Sequence, residues 1–304
     1  MTPAKLNLFL ASFPYGGNGA TSSEVPTVRH WFARTIVAAK KDERIDGVLW
    51  QDFSDTPITM TRNAAVVAAR RAGADVLLMI DSDMAPDLYV GKDPEARTFF
   101  EIAFDFVYRR RMEGKPVVVG APYCGPPPVE CVYVFRWTSM ESGGADLHPK
   151  MEMYSREDAA KMGGIQPAAA LPTGLILFDM EIFDHTDPKH EYQRLLQMHD
   201  RKTAEALTRS WFYYEYDDIY QAQKASTEDV TATRDMGLVV EDKLGYNPLH
   251  CAWDSWAGHW KPKCVGKPQP IYGDSVNEKY RTAVTENRIS NERLVMVRNG
   301  KVQM

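Results

Sequence analysis

Asp75-Val76-Leu77-Leu78-Met79-Ile80-Asp81-Ser82-Asp83 decides the fold of this chain. An uncharged apolar run closed by two carboxylates reads as a strand buried on both faces that leaves the core at its C-terminal end. A helix rich in Ala and Arg, capped by Thr61 and running through Ala72, is stopped by Gly73 and delivers the chain into that strand. The alternation extends in both directions. Residues 6–11 form a first strand, closed by Phe13-Pro14 and the Gly16-Gly17-Asn18-Gly19 cluster. Val28, Trp31, Phe32 and Ile36 then recur at helical spacing ahead of Lys40-Lys41, and residues 46–50 form a second strand. Past the carboxylates, Asp93-Pro94 opens a long helix to Glu113, Gly114 stops it, and residues 115–121 form the next strand.

Strand and helix alternating in this way imply right-handed crossovers and an α/β fold: a mostly parallel central sheet with helices on both faces and its ligand at the C-terminal strand ends. The second half is less regular. Strands are expected at residues 131–137, 175–178 and 238–240, another apolar strand begins at His250, and helices lie near residues 155–162 and 226–235. No Pro/Gly/Ser linker separates the halves, so residues 1–262 read as one elaborated unit followed by a tail, 263–304.

The 304 residues, 44% hydrophobic and 25% charged, can bury a real core, which excludes a disordered or fibrous chain. With 36 Lys and Arg against 41 Asp and Glu, the net charge of −5 carries no basic footprint for nucleic acid. Cys124, Cys131, Cys251 and Cys264 contain no C-x-x-C pair and read as reduced thiols. The N-terminal apolar run is too short for a signal peptide and nothing approaches a membrane span, so the cytoplasm is the expected compartment.

Asp81 and Asp83 stand two residues apart and so lie on one side of an extended backbone, where an α/β sheet binds its ligand. A hard divalent cation takes one or two such oxygens together with those of a diphosphate. The plainer alternative is that both acids solvate a strand end or cap Met84-Ala85-Pro86.

Thr61-Arg62-Asn63, the Ala/Arg helix, Gly73-Ala74-Asp75, the apolar strand, Asp81-Ser82-Asp83 and Met84-Ala85-Pro86-Asp87 together resemble the nucleotide-sugar half of GT-A fold glycosyltransferases, of the family 2-like kind with a DxD motif. Pro172-Thr173-Gly174-Leu175, Glu228-Asp229 and His259 follow in the order in which that family places an acceptor-side strand, an acidic pair at a helix start and a C-terminal histidine. The resemblance runs from about residue 5 to 262 and lies in the order of the motifs. It implies the GT-A (nucleotide-diphospho-sugar transferase) fold, with residues 1–120 as the nucleotide-sugar half and 121–262 as the acceptor and metal half. It implies Asp83 as the direct ligand of Mn²⁺ or Mg²⁺, Asp81 touching the ribose or the metal through water, and His259 completing the metal site. Phe13, Pro14 and Asp52 would edge the nucleobase pocket, Arg62 would face the nucleotide and Lys261 the diphosphate. Ser82, Thr173 and Gly174 complete the donor-binding set.

His250 and His259 compete for the metal. His259 follows Ala257-Gly258, as the family's ligand follows a small residue at a strand end, whereas His250 begins an apolar strand where a satisfied core imidazole is usual. Ser226-Thr227-Glu228-Asp229 is a capping-box-like helix start with Ser226 as the cap. In inverting members of the family an acid here is the general base, which points to Asp229, with Glu228 as the alternative. The aromatic run Trp211-Phe212-Tyr213-Tyr214-Glu215-Tyr216 reads as core rather than as a sugar-stacking wall.

Three other readings compete. A haloacid-dehalogenase-type phosphotransferase would use Asp81 as nucleophile and Asp83 as acid/base, with Asp217-Asp218 as later metal ligands, but its motif belongs at the first strand and here two βα units precede it. A sugar nucleotidyltransferase would use the Gly16–Gly19 loop, which lacks the expected internal Arg or Lys. A non-catalytic nucleotide-binding scaffold is the third. The reading adopted is metal-dependent transfer of a sugar from a nucleoside diphosphate sugar, UDP before GDP, to an acceptor hydroxyl with inversion. Retention stays open, since it needs no base. The acceptor can be a small metabolite, a glycan, a lipid-linked sugar, a protein or a modified nucleic acid base.

Overall fold

The computed structural model describes residues 5–14, 25–54, 57–90, 96–125, 131–138, 151–218 and 223–260, with the side chains of 206–207, 215–218 and 223–226 excepted. The Gly16–Gly19 cluster, Asp93-Pro94, Lys261 and the tail, 263–304, lie outside these residues.

The first half reads β1 (Leu6–Phe13), α1 (Pro26–Lys41), β2 (Ile45–Asp52), α2 (Ile58–Arg71), β3 (Val76–Asp81), β4 (Met84–Ala85), α3 (Phe99–Met112) and β5 (Val118–Gly120). Short elements follow: β6 (Phe135–Trp137), β7 (Met151–Met153), α4 (Arg156–Ala159) and β8 (Ile165–Pro167). Then come β9 (Leu175–Asp179), α5 (Glu181–His185), α6 (Pro188–Leu196), α7 (Arg201–Leu207), β10 (Glu215–Asp218), β11 (Gln223–Ser226), α8 (Glu228–Leu244), β12 (Leu249–Ala252) and β13 (Gly258–His259).

Strands from both halves form one seven-stranded sheet in the order β2-β1-β3-β9-β5-β12-β8. β2, β1, β3, β5 and β12 run one way, and β9 and β8 run against them, so the sheet is mixed but mostly parallel. β3 and β5 are not neighbours. β9 enters between them antiparallel, with Ile80 opposite Leu175 and Gly120 opposite Ile176. The apolar run of β3 explains its central place: Leu77 and Met79 face α2 and α8 on one side, and Val76, Leu78 and Ile80 face α1 and α3 on the other, all fully buried. Among the described residues no helix is long and apolar enough to cross a membrane.

Several expected boundaries move. α2 begins at Ile58 behind Pro57, so Thr61 lies one turn inside the helix, where its hydroxyl donates to the Pro57 carbonyl (3.3 Å) instead of capping. α3 begins only at Phe99, because Thr98 and Glu101 form a reciprocal capping box and residues 96–98 are not helical. Residues 238–240 belong to α8 and not to a strand: the core-facing side chains there are Met236 and Val240, four apart. Within residues 131–137 only Phe135–Trp137 is a strand, and Val132 makes an isolated bridge to Cys124. Thr227, not Ser226, is the N-cap of α8, Ser226 being the last residue of the β10–β11 ribbon. Of the aromatic run Phe212 is fully buried and packs edge-on against Phe178, whereas Trp211, Tyr213 and Tyr214 are half-buried, so the core reading holds for Phe212 and not for the run as a whole.

Candidate active site

Register places the ends of β2, β1 and β3 side by side, with Asp52 opposite Ser12 and Asp81 opposite Phe13. The Ser12 hydroxyl donates to Asp52 (2.5 Å), and Arg29 holds the other oxygen of Asp52 (3.2 Å), which leaves that carboxylate half exposed at the edge. Pro14 is half-buried beside it. Phe13 is 2% exposed and packs on Phe53, so it forms floor and not a pocket edge.

Arg62 is the centre of the arrangement. Lying in the second turn of α2, it is 3% exposed, and its guanidinium stands 5.0 Å over the Phe13 ring. Nη2 donates to both oxygens of Asp81 (3.0 and 3.1 Å), Nη1 donates to the Thr173 carbonyl (3.4 Å), and Nε lies 3.5 Å from Glu228. The expectation that Arg62 faces a nucleotide is therefore corrected: it is a buried cation behind the carboxylates. It neutralises Asp81 at the end of β3 and Glu228 at the start of α8, two acids that come from different halves of the sequence. Burial pushes both acids above the ordinary carboxylate range, Arg62 draws both down, and a neighbouring acid, Asp83 for Asp81 and Asp229 for Glu228, pushes each up again.

Asp83 and His259 meet through a small second sheet. β4 pairs antiparallel with β13, Met84 opposite His259, and the Asp83 carbonyl accepts the Trp260 N–H at 2.7 Å. Gly258 permits this approach, since a Cβ there would stand 2.8 Å from Leu88 and 3.1 Å from the Ala85 Cβ. His259 Nδ1 lies 2.9 Å from the Cys124 carbonyl, which can only accept, so Nδ1 carries the hydrogen. Nε2 faces Asp83 Oδ2 at 3.3 Å, an ion pair when the ring is protonated. His250 is elsewhere, its ring against Phe106 and Nδ1 on the Pro248 carbonyl, and burial lowers its pKa.

Ser82 is buried, and its carbonyl accepts the Val25 N–H at 2.9 Å, which fixes the entry to α1. Thr173 is fully buried, and its hydroxyl has no hydrogen-bond partner among the described residues. Gly174 receives the Asp81 N–H on its carbonyl (2.8 Å) and gives its own N–H to the Tyr123 hydroxyl (3.2 Å). A Cβ at Gly174 would stand 2.7 Å from that hydroxyl, so glycine is needed. Tyr123 packs edge-on to His259 at 5.0 Å and Tyr133 does so at 6.3 Å. Neither tyrosine was legible as a site residue, although Tyr123 follows the buried strand β5 at the sheet's ligand-binding end, where an aromatic is worth notice.

Asp229 is half-buried in the first turn of α8 and accepts the Thr227 hydroxyl and the Val230 N–H (2.8 Å), whereas Glu228 is buried against Arg62. Of the two acids, Asp229 is the one open to solvent. Asp217 and Asp218 lie in β10, and their side chains fall outside the described residues.

Among the described residues no three His, Cys, Asp or Glu side chains gather as a metal-holding group. Asp81, taken by Arg62, does not join Asp83 and His259. That pair brings one carboxylate and one imidazole together, residue types that can ligate a divalent cation.

No protein-family model and no curated protein matches the chain. Among solved structures it is similar to A197 from STIV, at 12% identity and TM-score 0.43 over 84% of this chain and 87% of that one. It is similar to GalNAc-T7 with UDP, GalNAc and Mn²⁺, at 12% identity and TM-score 0.36 over 93% of this chain and 48% of that one, so it spans about half that protein. It is also similar to mannose-1-phosphate geranyltransferase from Thermus thermophilus, at 15% identity and TM-score 0.32 over 81% of this chain and 73% of that one. Each is a likeness of chain path at low identity, and the chemistry of the site stands on its own residues.

Proposed function

We infer that the chain is a nucleotide-sugar-dependent glycosyltransferase that uses a divalent cation and transfers a sugar to an acceptor hydroxyl with inversion. The observation that carries this reading is the Asp83–His259 pair, whose carboxylate and imidazole meet at 3.3 Å beyond the C-terminal end of β3. Asp83 and His259 would hold Mn²⁺ or Mg²⁺, and the nitrogen donor favours Mn²⁺ over the oxygen-seeking Mg²⁺. When bound, the cation neutralises charge on the leaving diphosphate.

The chain's own groups account for the rest. Asp52 and Pro14 edge the base-binding end, UDP being favoured over GDP. Arg62 pairs with both oxygens of Asp81 and so fixes it beside Asp83. Asp229 takes the proton from the acceptor hydroxyl, and Glu228 behind it is held by Arg62. Both oxygens of Asp81 are engaged by that guanidinium, so it is not presented as the nucleophile a phosphotransferase needs.

The test is hydrolysis of a panel of UDP-, GDP- and nucleoside-monophosphate-linked sugars with Mn²⁺ or Mg²⁺, against EDTA and Asp83→Asn. The expected result is slow release of one nucleoside diphosphate that disappears with EDTA and in the variant. General phosphatase activity without donor release would overturn the reading.

A further inference from the structure

A second cleft, about 740 Å³, lies along α8 away from the Asp83–His259 pair. It begins at Ala232, three residues or roughly 4.5 Å of helix rise beyond Asp229, and is walled by α6 and the segment that carries Trp211 and Tyr213. That volume falls within the range of small-ligand sites, which are mostly apolar with a few placed polar groups.

The floor is apolar, from Leu195, Ala232 and Met236, and the charged groups that line the cleft nearly balance, Asp187, Glu191, Asp235 and Asp242 against Arg194, Arg209 and Lys243. Arg209 donates to the Tyr213 hydroxyl (3.0 Å), that hydroxyl donates to Asp235 (2.5 Å), and Arg234 takes the other Asp235 oxygen (2.9 Å). On the opposite wall Arg194 and Glu191 form a two-bonded pair (2.8 and 3.0 Å). Such couples offer donors and acceptors at fixed spacing, and a lining with one more acid than cations suits hydroxyl groups better than a phosphate or a carboxylate. His185 also lines the cleft; among the described residues its buried Nε2 has no hydrogen-bond partner, and Glu181 stands 3.7 Å from it.

We propose that this cleft binds a neutral saccharide and holds the distal part of a carbohydrate acceptor whose reacting hydroxyl sits at Asp229. The acceptor role rests on the glycosyltransferase reading; saccharide binding in the cleft does not.

The test is ligand-observed NMR with maltotriose, cellotriose, mannotriose and triacetylchitotriose, and a trisaccharide of uronic acids for comparison, on wild type, Val239→Trp, Arg209→Ala and Asp83→Asn. Val239 is half-exposed and lines the cleft, so Trp fills it, and thermal unfolding shows that each variant is folded. One neutral trisaccharide is expected to bind wild type and Asp83→Asn within about twofold and both cleft variants at least about tenfold more weakly. Binding that persists in Val239→Trp but is lost in Asp83→Asn would overturn the proposal by placing the sugar at the Asp83–His259 pair. No trisaccharide binding by a protein that releases a nucleoside diphosphate from its donor would also overturn it, with the transferase reading left standing. Cleft binding without any donor turnover would uphold the saccharide site and sink its acceptor role.

Discussion

His259 Nε2 lies 3.3 Å from Asp83 Oδ2 while the other nitrogen of the same ring donates to the Cys124 carbonyl. That bond holds the ring with Nε2 toward the carboxylate, where a proton or a cation can sit between the two. Its orientation depends on partners far apart in sequence: Gly258 for the approach of the strand, and Tyr123 and Tyr133 for the walls.

Asp229→Asn is expected to lower sugar transfer by about 10²- to 10⁴-fold, the usual worth of a positioned general base, while leaving nucleotide binding unchanged. Glu228→Gln should show a smaller loss in transfer and a clear loss in stability, because Glu228 is buried on Arg62. Steady-state kinetics beside urea unfolding separates the two, and equal kinetic losses would refute the assignment of the base.

Arg62→Ala strands two carboxylates in the core and should cost about 3–5 kcal/mol of stability at neutral pH. Both acids already sit above their ordinary values and rise further without Arg62, so acid partly relieves the cost. The destabilisation is thus expected to be smaller at pH 4.5 than at pH 7.5. Urea titrations at both pH values check the sign, and a cost independent of pH would speak against the buried ion-pair account.

At the far end of the sheet Asp179 is fully buried, bonded to Arg111, and pushed up to about 6 chiefly by burial. A carboxylate raised on folding binds more protons in the folded state between its unfolded value, near 4, and 6, so its contribution to stability falls as pH rises through that window. Asp179→Asn should flatten the stability profile there, and Arg111 keeps Asp75 (3.0 Å) as a partner. An unchanged slope in denaturation midpoints from pH 4 to 6.5 would contradict this.

Gly174→Ala drives a Cβ to 2.7 Å from the Tyr123 hydroxyl and should cost about 1–3 kcal/mol by overpacking. In a Tyr123→Ala background the clash is gone, so the double variant should cost less than the sum of the two single losses. Simple additivity in chemical denaturation would show that the two do not touch.

The sheet was legible because β3 is an apolar run flanked by a glycine stop and two acids, a pattern few alternatives share. The place of β9 was not: nothing in Leu175–Asp179 says that it enters antiparallel between β3 and β5, since a strand buried on both faces has no period to betray its direction. The boundary errors were local. Thr61 and Ser226 are good caps by residue type, but Pro57 and Thr227 hold the cap positions. For the site, local spacing brought out Asp81 and Asp83 and the family resemblance pointed to His259, whereas the burial of Arg62 and the cradle of Tyr123, Tyr133 and Cys124 arise from contacts across much of the chain, which no window of sequence contains. Arg62 was legible as important and misread in direction: a cation at a helix start is expected to face solvent or ligand, and here it faces acids.

The central claim is that Asp83 and His259 hold a divalent cation together with a nucleoside diphosphate. The most direct measurement is Mn²⁺ binding followed by electron paramagnetic resonance, with and without UDP, in wild type, Asp83→Asn and His259→Ala. Wild type should bind Mn²⁺ more tightly with UDP present, and each variant should lose more than the roughly 10- to 100-fold typical of removing an outer-shell partner. Mn²⁺ binding that is equal in all three proteins, or indifferent to UDP, would contradict the account.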